Sequence, residues 1–393
     1  MKKLLLLALT ALTLGAQAQK LPQDISALND SLKKVYAPDK RLALFQVNYT
    51  VDGKNVMLQG TTTAPDAQKA LVNGLEQKGY RVMDCLKVLP SADLGDKIYG
   101  VINVSFSCLR AEGDYSSEMQ TQALLGTPVK VLEKDGWLHI QTPDLYLGWI
   151  HNHGIVRMNR EELHAWNTAP KIFVTEHYAW VYEKPDVKSQ HVTDVCAGNR
   201  LKNLGTSGKF YKVGYPDGRV GYLLKTDGQT EETWRKNLKQ DAASIIATAK
   251  TMLGVPYLWA GMSSKGVDCS GFMRTILYLH DIIIPRDASQ QCYKGEHIDI
   301  APDFSNLQPG DLIFFGRKAT PTLKEKVSHV AMYIGNKQFI HSMGDVHISS
   351  FNPDDDCYDA YNLGRLMYAA RVLPYIGKDP ELNTTATNAF YNY

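Results

Sequence analysis

The sequence predicts an α+β protein made of several small domains, and three observations lead to that prediction. Its 393 residues exceed the length of one ordinary domain. Short strand patterns separated by turns fill the middle of the chain, and helical spacing of apolar residues begins near Asp241. Strand patterns then return after residue 311. Helices followed by an antiparallel sheet are typical of an α+β domain.

Residues 1–18 have the pattern of a cleaved signal peptide. Two lysines precede the apolar run 4–14, and Ala16-Gln17-Ala18 offers small residues for cleavage. The apolar run is too short to cross a bilayer, and no cysteine lies at the cleavage point for a lipid anchor. We therefore predict an exported, soluble, periplasmic protein without a stable membrane anchor.

Residues 19–109 are predicted to form an N-terminal α/β region. Strand patterns at 44–51 and 56–61 flank an Asp52-Gly53 turn, and a helical pattern at 67–78 leads to a strand at 80–88. This strand–strand–helix–strand order is similar to that of the small BON domains. The sequence does not indicate what this region does.

Two strand-rich regions follow, at residues 110–158 and 173–227. In each, short strands and frequent turns favour a small β-barrel. Each region closes on a strand that combines glycine with an aromatic residue, Leu147-Gly148-Trp149-Ile150 in the first and Val220-Gly221-Tyr222-Leu223 in the second. Both regions resemble bacterial SH3 domains.

Capping signals place the helices around these regions. Asn159 and Glu162 have the spacing of a capping box and predict a short helix between the two barrels. Asp241 is the expected N-cap of a later helix. Cys269 falls in the first turn of the next helix, where free N–H groups and the helix dipole favour the thiolate. We therefore expect Cys269 to have a low pKa and to be a nucleophile.

A nucleophile needs a base, and two histidines lie on predicted strands. In the strand at 327–334, His329 shares one face with Ala331 and Tyr333. A turn at Gly335-Asn336 joins this strand to the one that carries His341, so the two rings can meet across the hairpin. A thiol at a helix start, a histidine and a second polar residue make the arrangement of a cysteine hydrolase.

Four segments in order resemble the NlpC/P60 cysteine peptidases over residues 238–376. They are Pro256-Tyr257-Leu258-Trp259-Ala260-Gly261, Asp268-Cys269-Ser270-Gly271-Phe272, Pro309-Gly310-Asp311-Leu312-Ile313-Phe314-Phe315, and Ser328-His329-Val330-Ala331-Met332-Tyr333-Ile334-Gly335. The resemblance implies a papain-like catalytic domain, which the two SH3-like barrels precede. The N-terminal α/β region lies outside the better-known members, so the resemblance does not imply its role.

The resemblance also implies residue roles. Cys269 would be the nucleophile, His329 the base and His341 the orienting residue. Tyr257 matches the family tyrosine that adds its hydroxyl to the oxyanion site, although a packing role fits its spacing equally well. Asp268 and Ser270 match positions that flank the nucleophile and line the substrate cleft.

The whole chain resembles the branch of γ-D-glutamyl-L-diamino-acid endopeptidases that carries two SH3-like domains. Enzymes of this branch act on murein peptides with a free N-terminal L-Ala. Asp287 matches the branch's acidic residue, and Glu118 and Tyr146 resemble the SH3 glutamate and tyrosine beside the site. One departure is Ala288, where the branch often has serine, so a hydroxyl contact to substrate is in question.

Other functions receive less support from the sequence. The net charge of +2 does not favour nucleic-acid binding, and we expect no metal or cofactor, since His151 and His153 lack further ligands at suitable spacing. A wall-binding or adhesive SH3 protein and an acyltransferase with the same core remain as alternatives. The diamino acid, the pairing of the six cysteines and the oligomeric state stay open. Residues 377–393 are expected to form a C-terminal tail, and only the last dozen residues look disordered.

Overall fold

A computed structural model describes residues 21–393, so the predicted signal peptide lies outside the described residues. The chain divides into two compact units, the first ending at Val88 and the second running over Leu89–Tyr393. Within the described part of the chain, no helix combines the length and the apolar character needed to cross a bilayer.

The first unit is a three-stranded sheet with two helices. Its strand order is β1-β2-β3, with β1 and β2 antiparallel and β2 and β3 parallel. The predicted strand–strand–helix–strand order is confirmed, and an amphipathic helix precedes it. Ile25 of that helix, Leu71 of the second and Leu58 of the sheet are fully buried in one core. The elements are α1 Gln23–Tyr36, β1 Phe45–Asp52, β2 Asn55–Thr62, α2 Pro65–Gln77 and β3 Arg81–Val88.

The second unit begins with an antiparallel sheet of seven strands in the order β10-β4-β7-β8-β9-β5-β6. This sheet starts before the predicted boundary at residue 110, because two earlier strands pair with it and place Ile102 and Leu109 in its core. Its strands are β4 Tyr99–Ile102, β5 Phe106–Arg110, β6 Met119–Leu124, β7 Pro128–Asp135, β8 Trp137–Gln141, β9 Leu147–Ile150 and β10 Ile155–Met158.

A short helix leads to a second antiparallel sheet of seven strands. The predicted capping box is present, since Asn159 Oδ1 accepts from Glu162 N at 2.9 Å and Glu162 Oε2 accepts from Asn159 N at 2.8 Å. The strand order is β13-β12-β16-β15-β14-β11-β17, and the SH3 identity of this sheet stays a prediction. The elements are α3 Arg160–Thr168, β11 Lys171–Val174, β12 Ala179–Tyr182, β13 His191–Val195, β14 Arg200–Ser207, β15 Phe210–Gly214, β16 Val220–Leu224, β17 Gly228–Thr230 and α4 Glu231–Asn237.

The remaining region packs helices against a six-stranded antiparallel sheet of order β20-β25-β21-β22-β23-β24. Apolar residues of the central helix, among them Phe272 and Ile276, are fully buried against Val330 and Met332 of the sheet. The elements are α5 Ala242–Thr251, β18 Met262–Ser263, β19 Gly266–Val267, α6 Cys269–Tyr278, α7 Ala288–Gln291, β20 Glu296–Ile298, β21 Leu312–Arg317, β22 Lys326–Gly335, β23 Gln338–Met343, β24 Asp345–Ser350, α8 Ala360–Gly364 and β25 Leu366–Arg371.

The expectation that the last dozen residues are disordered is wrong. Phe390 is buried, and Asn388 Nδ2 donates to the Pro143 carbonyl at 2.8 Å. The guanidinium of Arg200 lies 4.9 Å from the centre of the Tyr391 ring. The polar composition of this segment concealed these few anchoring contacts.

Candidate active site

Cys269 is the first residue of α6, as predicted, and Asp268 is its N-cap. Asp268 Oδ1 accepts from Gly271 N at 2.6 Å, which satisfies one of the free amides of the first turn. Its Oδ2 accepts from Ala260 N at 2.9 Å. Both carboxylate oxygens are therefore engaged in holding the helix start and the segment that precedes it.

A buried arginine neutralises Asp268. Arg286 is 1% exposed, and its Nη2 donates to Asp268 Oδ2 at 2.6 Å. It also donates to Ser270 Oγ at 2.9 Å and to Thr121 Oγ1, from the first sheet of the unit, at 2.9 Å. A buried charge of this kind is tolerated because it is paired and hydrogen-bonded. Arg286 thus ties helix α6, which begins at Cys269, to the neighbouring sheet.

The two predicted histidines meet. His329 Nε2 lies 2.8 Å from His341 Nδ1, and His341 Nε2 lies 3.1 Å from Ser349 Oγ on β24. All three side chains are buried. A chain of hydrogen bonds therefore fixes both rings, and the Nδ1 atom of His329 remains for contact with a substrate or the thiol.

The hairpin that joins the histidine strands turns one residue later than predicted. Asn336 and Lys337 both have positive φ, at 52° and 62°, and Gly335 pairs with Gln338. Two central residues of positive φ define a type I′ turn, which matches the twist of the strands. The expected turn at Gly335-Asn336 was displaced because asparagine tolerates this conformation well.

Burial reverses the expectation of a low pKa for Cys269. It raises the pKa of the thiol to about 11, and the charge of Asp268 acts in the same direction. The N–H groups of Val330 and Ser270 and the charge of Arg286 lower it, but they do not outweigh burial. Burial likewise lowers the pKa of His329 well below its usual value and that of His341 to about 3. Both shifts favour the neutral thiol and the neutral imidazole.

Cys269 and His329 line one cavity of about 720 Å³. Every predicted substrate-binding residue also lines it, whereas His341 lies behind its wall. These lining residues are Glu118, Tyr146, Tyr257, Asp268, Ser270 and Asp287. Ala288, where the related enzymes often have serine, lines it as well. The sequence thus located the residues that the fold brings together.

The first seven-stranded sheet supplies one wall of this cavity. Tyr146 is buried, and its hydroxyl donates to Asp287 Oδ2 at 3.2 Å. Glu118 is exposed, and its Oε1 accepts from Trp259 Nε1 at 3.2 Å. Two carboxylates from different domains therefore face the same space.

Tyr257 keeps its hydroxyl proton at neutral pH. Burial raises the pKa of this residue to about 12, and the electrostatic influence of the neighbouring Cys269 and Asp268 adds to the effect. A protonated hydroxyl beside the thiol is able to donate a hydrogen bond to a developing oxyanion.

Several residues of the site were missed by sequence reasoning. Trp259 lies inside a quoted motif and Arg286 directly precedes Asp287, but the sequence does not show that Arg286 turns inward or that Trp259 reaches Glu118. Ser349 follows His341 by eight residues and is found through the pairing of β23 with β24. Lys326 and Arg365 line the cavity from the start of β22 and from the residue before β25.

The described residues hold no group of three or more His, Cys, Asp or Glu placed to bind a metal ion. All six cysteines, each within residues 21–393, have free thiols. Cys269 is therefore available as a thiol in this arrangement.

Comparison with known proteins agrees with this geometry. The model of the NlpC/P60 family matches residues 254–364, and that of the bacterial dipeptidyl-peptidase Sh3 domain matches residues 109–155. The gamma-D-glutamyl-L-lysine dipeptidyl-peptidase of Bacillus cereus is 37% identical over 236 residues, which cover 58% of this chain and 68% of the relative. This chain belongs to the NlpC/P60 family.

Other members of the NlpC/P60 family of cysteine peptidases support the assignment. Dipeptidyl-peptidase 6 of Lysinibacillus sphaericus is 28% identical, with 64% of this chain and 90% of the relative covered. A crystal structure of an NlpC/P60 family protein from Bacillus cereus superposes with a TM-score of 0.60 at 30% identity. It covers 70% of this chain and 100% of the solved one. The predicted α+β NlpC/P60 architecture with an SH3-type domain is confirmed.

Proposed function

We propose that this protein is an exported cysteine peptidase that hydrolyses the bond between γ-D-Glu and the diamino acid in murein peptides with a free N-terminal L-Ala. The observation that carries the proposal is the shared cavity, where the thiol of Cys269 faces the same space as the carboxylates of Glu118 and Asp287. A nucleophile and an ammonium-binding site in one cleft fit a peptidase that recognises the free amino end of its substrate.

Cleavage begins when Sγ of Cys269 attacks the γ-carbonyl carbon. The thiol proton passes to Nδ1 of His329, whose Nε2–H donates to Nδ1 of His341 across the 2.8 Å contact. This tautomer leaves Nδ1 of His329 unprotonated before attack. His341 in turn donates from Nε2 to Ser349 Oγ. His341 and Ser349 therefore act as positioning residues for the base.

The tetrahedral intermediate carries a negative oxygen that requires donors. The backbone N–H of Cys269, at the start of α6, and the hydroxyl of Tyr257 are suited to this task. When the intermediate collapses, the C–N bond breaks and His329 returns the proton to the leaving amine. Water, activated by His329, then hydrolyses the thioester and releases L-Ala-γ-D-Glu.

Recognition of the amino end uses charge. Glu118 and Asp287 would accept hydrogen bonds from the ammonium of L-Ala, and the hydroxyl of Tyr146 holds Asp287 in place at 3.2 Å. An N-acetylated peptide would offer these carboxylates no ammonium and would add bulk beside Glu118 and Tyr146. Leaving a charged group without its partner costs more binding free energy than the lost hydrogen bond had contributed.

The signal-peptide pattern supports a periplasmic location, where trimmed murein peptides arise. The names of the relatives support the reaction class, because three of them are dipeptidyl-peptidases. A soluble peptidase acting there would take part in peptidoglycan turnover or recycling.

Product analysis tests the proposal. Incubating the purified chain with L-Ala-γ-D-Glu-meso-diaminopimelate should release L-Ala-γ-D-Glu and free diaminopimelate, both identified by mass spectrometry. Cys269→Ala serves as the inactive control. Cleavage at another bond, or transfer of the acyl group to an added amine in preference to water, would contradict the proposal.

A further inference from the structure

Two cationic side chains line the catalytic cavity near His329. Lys326 is the first residue of β22, and Arg365 precedes β25. Arg365 Nη1 donates to Ser328 Oγ, the residue before His329, at 3.3 Å. The charge of Arg365 also contributes to the lowered pKa of His329, which agrees with this proximity.

Neither cation has a carboxylate partner within residues 21–393. Arg365 Nε donates to Asn362 Oδ1 at 2.9 Å, its guanidinium lies 4.7 Å from the centre of the Tyr361 ring, and its Nη2 has no hydrogen bond in the described chain. Cations that face a substrate cavity without an acidic partner favour an anionic ligand.

The acidic residues close in sequence to these cations are already engaged. Glu325 accepts from the hydroxyl of Tyr368 at 2.7 Å. Asp359 accepts from both the backbone and the side-chain amide of Asn362. Neither carboxylate forms an ion pair with Lys326 or Arg365, so both cations remain available to a substrate.

The acidic part of the cavity comes from other elements. Glu118 lies in the segment before β6, and Asp287 directly precedes α7. If L-Ala is held there and the γ-carbonyl lies at Cys269, the diamino acid extends past His329. The leaving half of the peptide would then meet Arg365 and Lys326.

We propose that Arg365, assisted by Lys326, forms a leaving-side subsite that selects a carboxylate on the side chain of the diamino acid. This inference rests on the proposed function. The side chain of meso-diaminopimelate ends in an ammonium and a carboxylate, whereas that of L-lysine ends in an ammonium alone. A cationic subsite attracts the first and repels the second, so this enzyme prefers diaminopimelate, unlike the lysine in the name of its Bacillus cereus relative.

The diamino acid's own α-carboxylate is kept in both the side-chain amide and the L-Lys peptide, so these two comparisons isolate the side-chain carboxylate from it. The α-carboxylate of γ-linked D-Glu is a further anionic group on the same substrate. It belongs to the acyl half, which stays on Cys269 after the first step. The proximity of Arg365 to Ser328 and His329 favours the leaving half, and separate peptides distinguish the two sources.

The test measures kcat/KM for matched peptides. The parent is L-Ala-γ-D-Glu-meso-diaminopimelate, and three partners differ from it at one point: the side-chain carboxyl is amidated, L-Lys replaces diaminopimelate, or D-Glu carries an α-amide. The enzymes are wild type, Arg365→Gln and Lys326→Gln, with Lys324→Gln as a control for an exposed lysine that does not line the cavity.

We expect wild type to prefer the parent over the side-chain amide by about tenfold, as for loss of one charge-assisted hydrogen bond. Arg365→Gln should reduce that ratio to about one, Lys326→Gln should reduce it less, and Lys324→Gln should leave it as in wild type. If Arg365→Gln only disturbs the structure, kcat/KM falls equally for both peptides and their ratio stays as in wild type. That result would overturn the inference.

The other possible outcomes also test the inference. If Arg365→Gln changes only the preference between D-Glu and its α-amide, the subsite belongs to the acyl half and the inference is wrong. A wild-type preference for L-Lys would overturn it too. If wild type cleaves none of the four peptides, the proposed function itself fails, whereas cleavage with unchanged ratios in all variants rejects the subsite alone.

Discussion

The two sides of the catalytic cavity differ in burial. On the side of α6 and the six-stranded sheet, Cys269, His329 and His341 are buried, and burial shifts the pKa of each. On the side of the first seven-stranded sheet, Glu118 is exposed and Tyr146 presents only a hydroxyl. The groups proposed to perform the chemistry are therefore buried, whereas Glu118, which is proposed to select the substrate, is exposed to solvent. Substitutions on the two sides should therefore affect different kinetic parameters.

The largest effect is expected on the buried side. Cys269→Ala removes the nucleophile and should lower kcat by about 10⁴-fold or more for every peptide, free or blocked. The matched control is Cys85→Ala, which changes an exposed cysteine of the first unit and should retain full activity. Residual turnover of Cys269→Ala near the wild-type rate would reject the mechanism.

His341→Ala should reduce kcat by about 10²- to 10³-fold, because His329 loses the partner that fixes its tautomer. KM should change little, since His341 does not line the cavity. Equal losses in kcat and in substrate affinity would instead indicate that the substitution disturbs the cleft. Stopped-flow measurement of acylation separates these outcomes.

The protonation state of the Cys269 thiol predicts a smaller effect, on the pH dependence of its alkylation rate. With the pKa of Cys269 raised to about 11, the thiolate fraction rises tenfold per pH unit below that value. Inactivation by iodoacetamide should thus accelerate about a hundredfold between pH 6 and 8. A rate independent of pH over this range would indicate a preformed thiolate–imidazolium pair. The measurement is best made in a Cys85→Ala background and followed by loss of activity.

Ser349→Ala should have the smallest effect of the series on the buried side. Loss of one hydrogen bond to His341 is expected to lower kcat/KM by roughly two- to tenfold. A positioning role predicts a shift of the acidic limb of the kcat/KM pH profile together with this loss, and partial recovery in Ser349→Thr. An unchanged pH profile would assign Ser349 to packing alone.

Local sequence signals were sufficient for much of the catalytic side. Capping chemistry located the starts of the helices at Asn159 and Asp241, because an N-cap depends on residues three positions apart. Strand alternation and a short turn brought His329 to His341. These features need only neighbouring residues, so a single sequence reveals them.

Features that depend on residues distant in sequence were harder to predict. The inward turn of Arg286 follows from its pairing with Asp268 and Thr121, which folding alone brings together. The pKa of Cys269 was misjudged because helix position is local, whereas burial comes from the whole core. The order of the C-terminal residues was not predicted for the same reason, because they contact Pro143 and Arg200, which are distant in sequence.

The most direct test of the account compares kcat/KM for L-Ala-γ-D-Glu-meso-diaminopimelate and its N-acetylated form in wild type, Glu118→Gln and Glu112→Gln. Glu112 is exposed near the same wall but does not line the cavity. We predict that wild type prefers the free peptide by about a hundredfold, that Glu118→Gln narrows this ratio about tenfold, and that Glu112→Gln keeps it. Equal cleavage of both peptides by wild type would contradict the account.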